Sequence, residues 1–185
     1  MVRLFFWSPH IDPQVATVKS VYNSINSLSK HTKKAKITLL NVFGEWDNFN
    51  FNNIDVIKLV TKRKIIKKKF KGFINSRILY LRILLQSYFP LKKLIKNENP
   101  KFLIIHLLTV IPIMLFIFND FQTKLILRIS GLPKLNIFRY IIWKIASKKI
   151  CYVICPTEET KILLIKKKIF SPNKIICIQD PIFNI

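Results

Sequence analysis

The chain has 185 residues, 50% of them hydrophobic, with 32 Lys or Arg against 9 Asp or Glu and a formal net charge of +23. That length suits one domain with a real core and excludes a miniprotein stapled by disulfides or metal. The apolar content excludes a disordered chain despite the charge.

Three sources compete for the positive charge: nucleic-acid binding, attraction to anionic lipid, and codon usage, since Lys, Ile, Asn and Phe are over-used together while Gly is scarce. Cys151, Cys155 and Cys177 form no His/Cys cluster with zinc spacing, so reduced, buried thiols in a reducing cytosol are expected.

Val2 to Trp7 is a continuous apolar run, as in a central parallel strand buried on both faces. Ser8, Pro9 and His10 end it, and because Pro9, Asp12 and Pro13 interrupt the apolar run almost at once no signal peptide is expected. Asp12 then reads as an N-cap with Pro13 at the first helical position, and Val15, Val18, Tyr22, Ile25 and Leu28 follow at helical spacing. Lys36 to Phe43 and Ile54 to Val60 read as strands, separated by a polar, Asn-rich loop holding Trp46. Lys62 to Lys71 is almost wholly basic, with Ile65, Ile66 and Phe70 interleaved. A helical pattern through Ile78, Leu81, Leu84 and Leu85 follows; Phe89-Pro90 is expected to break it, leaving a shorter helix to Asn97.

The basic run has three readings: a solvated loop and helix edge, a membrane-facing patch with apolar wedges, or an RNA-binding segment. No RNA-recognition motif or zinc knuckle accompanies it. Phe102 to Phe118 is a run of 17 nearly all-apolar residues, short of the ~20 that a spanning helix needs. It reads as a buried strand (Phe102 to Leu107), a loop, and a buried helix from about Ile111, with a transmembrane helix as the alternative.

From Lys124 to Pro181 the chain reads KLILRIS, GLPKLN, IFRYIIWKIASKK, ICYVICPT, EETKILLIKKK and KIICIQDPI: strand, glycine turn, basic helix, strand, helix, strand. Thr157 suits an N-cap, with Glu158 and Glu159 at the positive end of the helix dipole. The fold expected is α/β: a Rossmann-like, mostly parallel sheet with helices on both faces.

In open α/β sheets, ligands bind beyond the carboxyl ends of the strands. That rule selects Ser8, Pro9, His10 and Asp12 after the first strand, His106 to Thr109 after the fourth, Arg128 to Gly131 after the fifth, and Pro156, Thr157 and Asp180 after the last two. His and Arg side chains there suit hydroxyls and phosphates, and Gly131 lets backbone approach a ligand closely. His106 can equally be a core histidine ending a buried strand. No Gly-x-Gly-x-x-Gly, Walker motif or nucleophile elbow is present, which speaks against dinucleotide, NTPase and hydrolase chemistry.

The Arg-Ile-Ser-Gly-Leu-Pro turn, the helix with Arg139 and Trp143, the Cys-Pro-Thr helix start and Asp-Pro-Ile together resemble the end of the N-terminal domain of glycosyltransferase family 4 enzymes, in particular bacterial members that build surface polysaccharide. The resemblance covers nearly all 185 residues and implies the N-terminal, acceptor-side half of a GT-B fold, with the donor-binding domain and its spaced glutamate pair absent. It implies that His106 is the catalytic residue facing the donor sugar, and that His10, Asp12, Arg128, Ser130 and Gly131 bind acceptor. Many relatives carry a glycine pair where this sequence has His10 and Asp12.

The function expected is half of a retaining glycosyltransferase, inactive alone, that moves sugar from a nucleotide-sugar donor to a lipid-linked or glycan acceptor. The nucleotide sugar is substrate, and no metal or other cofactor is expected. Lys62, Arg63, Lys64, Lys67, Lys68, Lys69 and Lys71 would face the anionic inner leaflet from the cytoplasmic side. The alternative is a non-enzymatic basic domain on anionic membrane or nucleic acid.

Overall fold

The structure, a computed structural model, describes residues 1–60, 73–133 and 136–180. Strands β1 (Val2–Trp7), β2 (Ala35–Asn41), β3 (Asp55–Lys58), β4 (Phe102–Ile105), β5 (Lys124–Arg128), β6 (Ile150–Cys155) and β7 (Ile175–Cys177) form one sheet in the order β3-β2-β1-β4-β5-β6-β7. Every neighbouring pair is parallel. The expected α/β sheet is the one observed.

Helices α1 (Ala16–His31), α2 (Phe73–Glu98), α3 (Val110–Phe118), α4 (Ile137–Lys149) and α5 (Glu158–Lys166) divide between its faces. Strand-to-strand crossovers are right-handed, so a helix that follows a step one way along the sheet lies on the opposite face from one that follows a step the other way. Accordingly α1 packs on Phe6, Ile37 and Leu39, joined there by Trp46 from the segment after β2. Residues of α2 to α5 pack on the other face against Phe5, Trp7, Leu40, Leu103 and Val153. Successive β1 side chains thus feed two separate cores, which is why the strand is apolar throughout.

Local chemistry moves several expected boundaries. Helix α1 begins at Ala16 instead of Asp12: the Asp12 carboxylate accepts a bond from the Gln14 N–H at 2.9 Å, closing a turn before the helix, and Val15 caps it with no side-chain bond. Pro90 does not break α2, which runs through it. Leu91 and Ile95 beyond the proline and Leu79 and Ile83 before it all enter the same core, and that burial outweighs one lost backbone bond. Strand β4 stops at Ile105 because Leu107 and Leu108 take left-handed backbone angles, φ +54° and +37°. Helix α5 keeps its expected cap, with the Thr157 hydroxyl accepting from the Thr160 N–H at 3.1 Å.

Helix α2 is apolar on more than one side, and one of these sides is buried. Leu79 and Ile83 point to the core, whereas Ile78, Leu81, Leu85 and Phe89 are exposed. Helix α4 is also apolar outward: Ile137, Phe138, Ile141 and Ile142 are exposed and Ala146 is buried. On the α1 side of the sheet, Tyr152 and Ile176 of β6 and β7 are exposed as well.

Replacing Pro90 with Ala restores the missing α2 bond without changing the apolar contacts of Leu91 and Ile95. The variant is expected to be more stable by about 1–3 kcal/mol in urea denaturation. A destabilised variant would show that packing of the proline ring dominates.

Candidate functional site

The strand order reverses between β1 and β4, since β1 leads to β2 on one side and β4 leads to β5 on the other. Loops leaving these two neighbours diverge and open a crevice at their carboxyl ends. A cavity of about 260 Å³ lies there, lined by Pro9, His10, Asp12, Thr17, Tyr80 and Leu108 among others. Its two walls are tied together: the His106 N–H donates to the Trp7 carbonyl at 2.8 Å, and the Trp7 indole N–H donates to the Leu108 carbonyl at 3.2 Å. The second bond helps hold the left-handed Leu107-Leu108 pair, a conformation that costs leucine of order 1–2 kcal/mol per residue.

His10 is 6% exposed and stands edge-on to Trp46, ring centroids 4.5 Å apart, with Phe49 at 5.8 Å. Burial pulls its pKa down to about 4, against the opposing pull of the Ser8 backbone and the Asp12 carboxylate. The aromatic wall depends on the turn after β2. There the Asn41 carboxamide accepts from the Gly44 N–H at 2.9 Å and donates to Asp47 at 2.7 Å. Gly44 adopts φ +94°, open to glycine and costly to other residues.

Glu45 accepts from the Val42 and Phe43 N–H groups at 3.0 and 2.8 Å. Burial still pushes its carboxyl up to about 7. Sequence reasoning had no candidate at Asn41 or Glu45. The available signal was an Asn three residues before a Gly, a side chain able to close a turn on its own backbone.

A second polar cluster lies one strand further along. Asp180, after β7, bonds the Arg128 guanidinium and accepts from the Ser20 hydroxyl of α1 at 2.7 Å; Arg128 also donates to Ser24 at 2.6 Å. Burial pushes the Asp180 carboxyl up, but the bonds from Ser20 and Arg128 outweigh it and hold it below the usual range. His106, 4% exposed, has both ring nitrogens without a hydrogen-bond partner among the described residues. Burial first, and the Arg128 charge second, pull it down to about 4, with Asp180 opposing.

The structure therefore brings His10 and Asp12 to the switch-point cavity, and sets His106 behind it beside the Arg128–Asp180 pair. Both imidazoles are neutral at physiological pH. A neutral imidazole offers one donor and one acceptor, a match for sugar hydroxyls more than for phosphate charge. Ser130 and Gly131 lie on an exposed turn, and a Cβ at Gly131 would meet nothing within 4 Å among the described residues. Lys62, Arg63, Lys64, Lys67, Lys68, Lys69 and Lys71 lie outside the described residues.

Cys155 is buried, while Cys151 and Cys177 are half-buried and free. Among the described residues no helix is long and apolar enough to cross a membrane, and α3 takes up only Val110–Phe118 of the long apolar run.

The buried titrating groups set a pH dependence. His10 and His106 bind protons more tightly in the unfolded chain, so their contribution is complete above pH 6.5 and is lost as pH falls toward 4. Glu45 acts in the opposite sense: its contribution is complete below about 4.5 and is lost as pH rises through 7. Two groups outweigh one, so the urea midpoint is expected to rise between pH 4.5 and 6.5. Glu45→Gln should steepen that rise and His106→Gln should flatten it; a midpoint that falls over this window would contradict the assignment.

No protein-family model and no curated protein matches the sequence. Solved structures do match. The UDP-GlcNAc 2-epimerase from Neisseria meningitidis bound to UDP-GlcNAc aligns over 96% of this chain and 46% of its own, with TM-score 0.59 and 12% identity. The lipopolysaccharide outer core galactosyltransferase WaaB aligns over 98% and 46%, with TM-score 0.56 and 8% identity. Anabaena Alr3699/HepE in complex with UDP and glucose aligns over 98% and 45%, with TM-score 0.53 and 9% identity. The chain spans less than half the length of each of these. At such identities the likeness shows the fold: one Rossmann-like half of a GT-B architecture.

Proposed function

We propose that this chain is the acceptor-side half of a retaining glycosyltransferase, which moves sugar from a nucleotide-sugar donor to a lipid-linked or glycan acceptor. The observation that carries this reading is the switch-point cavity, where a neutral His10 and the Asp12 carboxylate face a crevice on a half-length GT-B fold. Neighbours that hold UDP-GlcNAc, or UDP and glucose, support a nucleotide sugar as the partner substrate. A second nucleotide-sugar-binding half would supply the donor, and without it the chain does not turn over. Catalysis then rests on positioning the acceptor and on stabilising the leaving phosphate from the other half.

In this reading His106 faces the reacting sugar and donates a neutral N–H to a hydroxyl, and Arg128, Ser130 and Gly131 border the acceptor. The basic run from Lys62 to Lys71 holds the protein on the anionic inner leaflet, each residue contributing ~1 kcal/mol near the surface. The TM-score to an epimerase favours a second reading, half of an enzyme that remodels a nucleotide sugar without any acceptor.

The test joins the chain to a nucleotide-sugar-binding half and follows consumption of UDP-sugars with and without glycan and lipid acceptors. Acceptor-dependent transfer is expected; turnover that needs no acceptor would select the epimerase reading. In the joined enzyme, His106→Ala is expected to lower kcat about tenfold or more while circular dichroism stays unchanged. Unchanged turnover would make His106 a core residue only. Gly131→Ala should leave stability within about 0.5 kcal/mol, since its Cβ meets open space. A raised KM in that variant would place acceptor against this turn.

A further inference from the structure

Strand β7 has little to hold it: it is three residues long and pairs on one side only, with β6. Its register runs Val153 to Ile175, Ile154 to Ile176 and Cys155 to Cys177, so the last rung of the ladder sets two cysteines side by side. Register partners on neighbouring strands point to the same face. Both of these enter the core under α5 with Leu164 and Ile165, Cys155 buried and Cys177 half-buried. The Cys155 thiol donates to the Ile176 carbonyl at 3.5 Å. Burial holds both thiols above their usual range, and each also feels the other: the charge of Cys177 raises Cys155, while a bond from Cys155 lowers Cys177. Glu158 and Lys161 of α5 act on both.

We propose that Cys155 and Cys177 are a redox-sensitive pair, which a hydroperoxide closes into a disulfide that clamps the end of β7 to β6. The inference goes beyond the glycosyltransferase reading and does not depend on it. Neighbouring strands lie about 4.8 Å apart, and disulfides span roughly 4.4–6.8 Å between Cα atoms, so the backbone spacing fits. The pair ends both strands, so the backbone beyond it can shift as the sulfurs close up. Cys151 lies four residues back along β6, about 13 Å at the rise of a strand, and is out of reach of both.

The chemistry balances with hydrogen peroxide as oxidant. Cys177 is the more accessible of the two; as thiolate it displaces hydroxide from the peroxide and becomes a sulfenic acid. Cys155 then displaces water from that sulfur and forms the S–S bond. Two thiols lose two electrons and two protons, and the peroxide is reduced to two waters. The bond acts on the polar cluster nearby: Asp180, three residues beyond Cys177, holds Arg128 and Ser20, and the clamp fixes the root of that fastening.

The experiment exposes the reduced full chain to hydrogen peroxide, denatures it, alkylates the remaining thiols and maps the peptides by mass spectrometry. A monomer is expected in which Cys155 is joined to Cys177 and Cys151 is alkylated, with full reversal by dithiothreitol. Cys151→Ala should keep the cross-link, and Cys155→Ala and Cys177→Ala should each abolish it. The Ile178 N–H donates to the Cys155 carbonyl at 2.9 Å just past this rung, and its hydrogen exchange is expected to slow about tenfold on oxidation. Because the wild-type map decides the pairing, a variant that fails to fold does not leave the question open. Sulfinic acid on Cys177 without a cross-link overturns the proposal, as does a disulfide through Cys151 or between two chains. A Cys155–Cys177 bond that leaves exchange at Ile178 unchanged overturns the clamp.

Discussion

The architecture at the carboxyl end of the sheet depends on one topological constraint. The chain leaves β1 toward β2 and leaves β4 toward β5, and right-handed crossovers then send α1 to one face and the later helices to the other. Two adjacent strands whose loops part company cannot fill the space between them, so a crevice is a geometric result of strand order. The residues that line it come soon after each strand: Pro9 to Asp12 on one wall and Leu107 and Leu108 on the other. The bonds from Trp7 to Leu108 and from His106 to Trp7 decide how far the walls open.

Burial then decides the chemistry of those walls. His10 and His106 are both kept neutral, one by an aromatic enclosure and the other by apolar surroundings with the Arg128 guanidinium nearby. Arg128 is itself held by Asp180, Ser24 and, through Asp180, Ser20, so the helix α1 and the segment after β7 are fastened to β5 by charge. Removing one member of such a partly buried pair leaves the other poorly solvated, and the fastening is therefore cooperative. Positive charge is abundant on this protein, but among the described residues no Lys or Arg lines the switch-point crevice.

Most of the sheet is legible in the sequence because β1, β2, β5 and β6 are largely apolar runs that end at or within a few residues of a Ser, Asn or Pro. The Cys-Pro-Thr-Glu-Glu start of α5 reads correctly because the cap is local: one hydroxyl meets an N–H three residues on. Other features depend on distant contacts and are not legible. Asp12-Pro13 carries every helix-start signal, yet the aspartate closes a turn before the helix. Pro90 carries a stop signal, yet core contacts of Leu91 and Ile95 override it. Periodicity shows that α2 has apolar stripes but cannot say which stripe meets the sheet. At the site, the strand-end rule finds His10, Asp12 and His106 from position alone. It does not find the enclosure by Trp46 and Phe49 or the use of Asp180 as the partner of Arg128, because these join residues dozens of positions apart.

Placing β1 in the middle of the sheet also imposes an order of assembly in time. The first 58 residues contain β1, β2 and β3, a three-stranded parallel half-sheet that can pair before the rest of the sheet exists. During synthesis its inner edge, Val2 to Trp7, stays unpaired until β4 has emerged more than forty residues later. A long apolar edge left open is a template for pairing with another nascent chain. Ribosome spacing and the speed of translation through the basic stretch before α2 thus bear on how much of this protein folds alone and how much is lost to aggregation.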